Sequence, residues 1–231
     1  MQTFSLSRLL SDPEFTRGAP FLLFVLFLIL ASVLAPAGEG NGDLASWLVV
    51  ARGGVLALVL AWFWRSYTEL HRAPPVPRWY WLIAVLAGLG VFVIWVGVDQ
   101  DWAVAGSSKG FDPSLAAGGI DWVKAVARLA GLALVVPVME ELFWRSLVLR
   151  WIKEHDFLAV DPRHVGALSF VIVTVLFALE HNQWFAGAIA GMTYNLLYMT
   201  SRNLWVPILA HAVTNGALGV WILATGNWQF W

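Results

Sequence analysis

Seven apolar runs follow one another along this chain, at about 20–37, 46–64, 79–98, 120–138 (continuing toward 152), 165–181, 183–200 and 204–224. Each lies near the roughly 20 residues that carry a helix across bilayer hydrocarbon, the fifth and sixth being short. Backbone in lipid must satisfy its own hydrogen bonds, so runs of this length read as helices. The expected fold class is therefore all-α: a polytopic membrane protein with about seven (six to eight) transmembrane helices. Of 231 residues, 13% are charged and 59% hydrophobic, which leaves no room for a sizeable soluble module beside them. We expect a single membrane domain over 1–231, with residues 1–19 as a polar, cytoplasmic or interfacial N-terminal arm.

Composition also excludes several functions. The formal net charge is −1 and basic residues form no long run, which argues against nucleic acid as a partner. The absence of cysteine excludes disulfides, thiol catalysis and cysteine-ligated metals. The first apolar run has full spanning length and no convincing small-residue cleavage pattern, so it reads as a helix rather than a secretory signal.

Arginine and lysine set the expected orientation. Arg8 and Arg17 precede the first run, and Arg65, Arg72 and Arg78 flank the loop between the second and third. Arg150, Lys153 and Arg163 flank the loop near 155, and Arg202 precedes the last run. The 38–45 connection has no basic residue, and the 99–119 loop has only Lys109 against three aspartates. This alternation fits a cytoplasmic N-terminus. Pro36, Pro74 to Pro77 and Asp112-Pro113 punctuate the connections, and Asp161-Pro162 marks a helix start.

Against this apolar background the polar residues of the second half stand out. Glu140, Glu141 and Arg145 lie inside the fourth run, where ionisable groups are costly and point to function. Glu141 and Arg145, four apart on a helix, share a face and can pair. Glu140 points about 100° away and is left freer to act as a base. A helix from Asp121 to Lys153 would rise about 50 Å, too long for a perpendicular span, and Pro137 is placed to kink it and free a carbonyl just before the glutamates. His181 follows Phe177 by four at the end of the fifth run, while His211 and Asn215 share a face of the last. Glu180 adjoins His181 but on helical spacing faces away, which makes it the weaker candidate.

Together these groups suit hydrolysis by activated water: Glu140 and His181 to hold and deprotonate it, His211 and Asn215 to stabilise an oxyanion. Gly-x-Ser-x-Gly and His-Glu-x-x-His are both absent. A zinc site of Glu140, His181 and His211 is the mechanistic rival. From other functional classes, a non-catalytic scaffold or immunity-type protein would use the same groups for helix packing. A transporter would use Glu140 for proton coupling, although no paired repeats favour it.

The sequence Glu140-Glu141-Leu142-Phe143-Trp144-Arg145, then Phe177-x3-His181, then His211-x3-Asn215, resembles the three ordered motifs of the CPBP family, the CAAX-prenyl-protease-like or Abi intramembrane proteases. The resemblance covers roughly 120–224. It implies a catalytic core there and a glutamic endopeptidase in which Glu140 and His181 activate water and His211 and Asn215 bind the oxyanion. It further implies a membrane-associated protein or peptide substrate, no cofactor, and residence in a bacterial cytoplasmic membrane. The context through Ser146, with Leu149-Arg150-Trp151, also looks like the CAAX-protease-related branch of bacteria with exosortase systems. A prenylated substrate does not follow from the family name. One tension remains: strictly alternating spans put Glu140 and His181 on opposite sides, so a shared site needs short, tilted or re-entrant segments between 160 and 200.

Overall fold

The computed structural model describes residues 6–34, 43–106, 110–115 and 117–231. Pro36, Lys109 and the 38–42 part of the first connection lie outside them. A short helix α1 (Leu6–Ser11) leads into α2 (Pro13–Leu34) and α3 (Asp43–Trp62). The one-turn α4 (Thr68–His71) precedes α5 (Trp79–Gly97). A 30-residue helix, α6 (Trp122–Trp151), is followed by α7 (Gly166–Leu179), α8 (Trp184–Ser201) and α9 (Trp205–Thr225). Among the described residues, each of the seven apolar runs forms a helix over most of its length. By length and apolarity, α2, α5, α6 and α9 can each cross a membrane, while the apolar stretch Ser46–Trp62 of α3 and the whole of α7 are shorter. At about 1.5 Å per residue, the 14 residues of α7 rise about 21 Å, less than the roughly 30 Å of hydrocarbon.

Side chains are arranged as a bilayer solvent requires. Leu58 is 72% and Leu179 72% exposed, whereas Glu141 and Arg145 have no exposure at all. Apolar groups face outward and charges inward, consistent with an integral membrane protein.

The first helix begins earlier than its apolar run. Asp12 accepts hydrogen bonds from the Glu14 and Phe15 amides at 2.9 Å each, and Pro13 follows directly, so the helix is capped and started at 13 rather than 20. Arg17 is thus inside α2 and buried instead of flanking it. Its Nε and Nη2 donate to the two Glu69 carboxylate oxygens at 2.8 and 2.5 Å, and Nη2 also reaches the Ser66 carbonyl. Ser146 donates to the same carboxylate, and Arg150 donates to the Ser146 hydroxyl at 2.6 Å. Glu69 therefore ties α2 to α6 at the arginine-rich end of the bundle. That end is closed further by Trp205 Nε1 donating to the Leu70 carbonyl and Asn203 donating to the Pro74 carbonyl.

Other expectations need adjusting. Asp161 caps a 3-10 turn, Pro162–His164, by accepting from the Arg163 amide at 3.0 Å, and α7 starts only at Gly166. Pro137 does not break α6. The helix widens into π geometry over Gly131–Val135 and again over Glu141–Val148, so the chain runs through the proline.

Between α5 and α9 the backbones nearly touch. A Cβ added to Gly88 would sit 2.3 Å from the Ala210 carbonyl oxygen, so Gly88→Ala should destabilise the fold by about 1–3 kcal/mol, read as a lower unfolding midpoint in detergent. At Glu69, burial pushes the carboxyl up, but the Arg17 hydrogen bonds and charge, with the Ser146 bond, outweigh it and hold the carboxyl below its ordinary value. A depressed carboxyl contributes its stability in full above about pH 4.3 and loses it as pH falls through the lower folded value. Glu69→Gln, which leaves Arg17 without its counter-charge, should cost about 3–5 kcal/mol at neutral pH. The gap between variant and wild-type melting temperatures should narrow on acidification.

Candidate functional site

A fully buried ion pair lies at the centre of the helices. Arg145 Nη1 donates to Glu141 Oε1 at 3.1 Å, one turn apart on α6. Its Nη2 reaches toward the Gly191 carbonyl at 3.4 Å, and the guanidinium lies 4.3 Å from the Phe177 ring centroid and 5.3 Å from that of Tyr194. Arg145 is thereby enclosed by α7 and α8. The tight position between these two helices is Gly187, where an added Cβ would stand 3.2 Å from the Ala178 Cα, so glycine there lets them close into a hairpin.

Glu141 Oε1 also meets His211 Nδ1 at 3.0 Å. A carboxylate can only accept, so Nδ1 carries the hydrogen and Nε2 is turned the other way, 3.9 Å from Glu140 Oε2. Tyr194 stacks on the His211 ring at 4.9 Å and 19°. The Tyr194 hydroxyl donates to Thr214 at 2.7 Å, and Thr214 donates to the Gly88 carbonyl at 2.9 Å. Bonds and stacking contacts from four helices thus fix the orientation of His211.

The second group forms where α7 ends. Glu140, Glu180 and His181 each bring a ligand atom to within 4.8 Å of the others. From Trp151 back to Glu140 is eleven residues, about 17 Å, and from Gly166 to Glu180 fourteen, about 21 Å. Both lengths start from the same loop, so the turn after α7 arrives level with Glu140, and strict alternation of full spans does not hold. This turn also corrects the expectation for Glu180. The helix stops at Leu179, so the 100° separation from His181 does not apply, and both side chains reach Glu140. Trp144 Nε1 donates to Glu180 Oε1 at 3.0 Å. His181 Nδ1 donates to the Phe177 carbonyl at 2.7 Å, which leaves the lone pair on Nε2. Among the described residues, the three potential metal ligands that converge are Glu140, Glu180 and His181, with His211 outside that group.

Asn215 has a partner of its own. In the π turn the Val136 amide bonds the Gly131 carbonyl, and the next amide in that pattern would belong to Pro137, which has none. Asn215 Nδ2 fills the gap, donating to the Leu132 carbonyl at 2.9 Å. The carbonyl expected to be freed by Pro137 thus accepts a hydrogen bond from Asn215, whose amide keeps one further hydrogen.

These groups line a cavity of about 300 Å³, walled by Phe21 and Phe24 of α2 and continued by Arg52 and Arg128. A neighbouring cavity of about 530 Å³ shares Trp95, Glu180 and His181 with it. Glu140 Oε2 is buried with no hydrogen-bond partner among the described residues. Glu140, His181, His211 and Asn215 therefore meet at one cavity, while Glu141, Arg145 and Phe177 lie against it. Trp144 and Tyr194, to which sequence patterning assigns no role, join them, as does Glu180, which it ranks as the weaker candidate. The available signals were the adjacency of Glu180 to His181 and the Trp144 position within the Glu-Glu-x-x-x-Arg segment.

Residues 122–217 match the family model for type II CAAX prenyl endopeptidases of the Rce1-like kind. No curated protein and no solved structure matches the chain. The chain carries a CAAX-protease-like, Rce1-like domain over residues 122–217, containing the cluster of buried Glu140 with the more exposed Glu180 and His181.

Proposed function

We propose that this cavity is the active site of an intramembrane endopeptidase, and that the helices around it form a seven-span bundle with a cytoplasmic N-terminus. The observation that carries this reading is Glu140 Oε2, buried without a hydrogen-bond partner among the described residues, with His211 Nε2 3.9 Å away and a ring nitrogen of His181 within 4.8 Å of the carboxylate. A buried acceptor with no partner is costly, and catalysis is a common reason for one.

In this mechanism a water between Glu140 and His181 attacks the scissile carbonyl carbon and passes its proton to Glu140. His211, whose Nδ1–H is held by Glu141, acts as the imidazolium and donates its Nε2–H to the oxyanion together with the remaining amide hydrogen of Asn215. Collapse breaks the C–N bond, and Glu140 returns the proton to the departing amine. Arg145 acts through Glu141, fixing the face that His211 presents. Glu180 brings a carboxylate oxygen to within 4.8 Å of Glu140, a separation that one water can bridge, which gives it a part in the proton transfer. The substrate class is a membrane-associated protein or peptide, since the cavity opens among apolar helices.

The convergence of two carboxylates and one histidine favours a second reading, in which a divalent cation at Glu140, Glu180 and His181 polarises the attacking water. Metal analysis of the purified protein separates the two. Activity that survives exhaustive chelation supports the metal-free mechanism, and stoichiometric metal lost and restored together with activity supports the other. Replacing Glu140 by Gln keeps shape and removes the base, so the variant should fold normally and lose about 10²–10⁴-fold in cleavage rate. The check is a comparison of membrane-protein fragments in cells carrying wild type or the Gln variant. A product that vanishes only in the variant supports proteolysis and names the target, whereas identical fragments from both would refute it.

A further inference from the structure

Two arginines in the same cavity have no part in the chemistry above. Arg52 of α3 and Arg128 of α6 both line the cavity that holds Glu140, and both line a narrow crevice beside it. The helices come close just there, a Cβ on Gly53 reaching 3.4 Å from the Gly131 Cα. Arg52 is 8% exposed, and Arg128 Nε is buried with no acceptor. Neither forms an ion pair or a hydrogen bond with any described residue, and each carries the same charge as its neighbour.

Among the described residues, the three buried arginines outside this pair are each held by oxygen. Arg17 has Glu69, Arg145 has Glu141, and Arg150 has the Ser146 carbonyl and hydroxyl. Arg52 and Arg128 have only aromatic faces: Phe24 at 4.5 Å from Arg52, and Phe111 and Trp231 at 5.0 and 5.7 Å from Arg128. Rings support a cation but supply no hydrogen-bond acceptor. Glu140 attracts Arg52 across the cavity but accepts a hydrogen bond from neither guanidinium, and two positive charges without acceptors among apolar helices are unfavourable unless a further group supplies them. A planar fork of N–H donors is suited to a carboxylate or phosphate.

We propose that Arg52 and Arg128 form an oxyanion-binding subsite in this cavity, which takes the carboxylate or phosphate of an otherwise apolar ligand. The aromatic groups form the walls for the apolar part. As a subsite for substrate it rests on the endopeptidase reading of the cavity; as an anion site it does not. The two sources of such a group are a peptide α-carboxylate and an amphiphile phosphate.

The test is binding to the full chain purified in a neutral detergent, with probes in matched pairs. One pair is a short leucine-rich peptide with a free or an amidated C-terminus; the other is dodecyl phosphate and dodecanol. At least one anionic probe should bind tenfold or more tightly than its neutral partner, and the pair that shows the preference identifies the source. The double variant Arg52→Gln with Arg128→Gln should abolish the preference, and the double lysine variant, which keeps both charges, should retain part of it. Because the readout is a ratio on folded protein, a loss of yield does not imitate the result. Glu140→Gln should keep the preference. If cleavage also survives in that variant, the endopeptidase reading fails while the anion subsite stands. Equal binding of both members of both pairs, or a preference unchanged in the double glutamine variant, would overturn the proposal.

Discussion

The Glu141–Arg145 pair is the interaction on which the rest of the site depends. Both side chains are fully withdrawn from water, so neither charge tolerates loss of the other. Each half of the pair also extends outward. Glu141 spends the same oxygen on His211, which turns the imidazole toward Glu140, and Arg145 lies against Phe177 and Tyr194, which fixes the α7–α8 hairpin. The orientation of one histidine and the placement of the other thus trace back to one buried carboxylate and one guanidinium.

A second constraint is the shape of α6. A regular helix interrupted by Pro137 would leave an orphan carbonyl in an apolar environment. The π turn carries the chain past the proline, and Asn215 satisfies the Leu132 carbonyl from across the bundle. Asn215 therefore ties α9 to α6 at the level of the cavity, whatever hydrogen bonds it makes to a substrate. A third element is the stop at Leu179. Had α7 continued as a regular helix, Glu180 and His181 would point about 100° apart instead of both reaching Glu140.

Much of this was legible in the sequence, for identifiable reasons. The seven helices follow from apolar runs whose length the bilayer dictates, and the Glu141–Arg145 contact follows from helical spacing within one element. What escaped were relations between elements. Glu180 was discounted by a helical angle that ceases to apply where the helix ends. Arg17 looked like a flanking charge because nothing local shows that Glu69, 52 residues away, accepts its hydrogen bonds. Arg52 and Arg128 sit on separate helices, and their convergence is a product of packing that no spacing along the chain encodes. Run lengths alone predict seven spans; among the described residues four helices are long and apolar enough to cross a membrane, and the 14-residue α7 is the short segment that a site shared by Glu140 and His181 requires.

The central claim is that the turn after α7 reaches Glu140. The chain has no cysteine, so thiol pairs can be introduced without background. Glu140→Cys combined with Glu180→Cys should be bridged in native membranes by a short thiol-to-thiol crosslinker such as dibromobimane, giving a fluorescent product. Ala178→Cys with Gly187→Cys serves as the positive control within the hairpin, where a Cβ on 187 would lie 3.2 Å from the Ala178 Cα. Bridging of both pairs is the predicted result. Bridging of the control while the 140–180 pair stays unlinked would contradict the account.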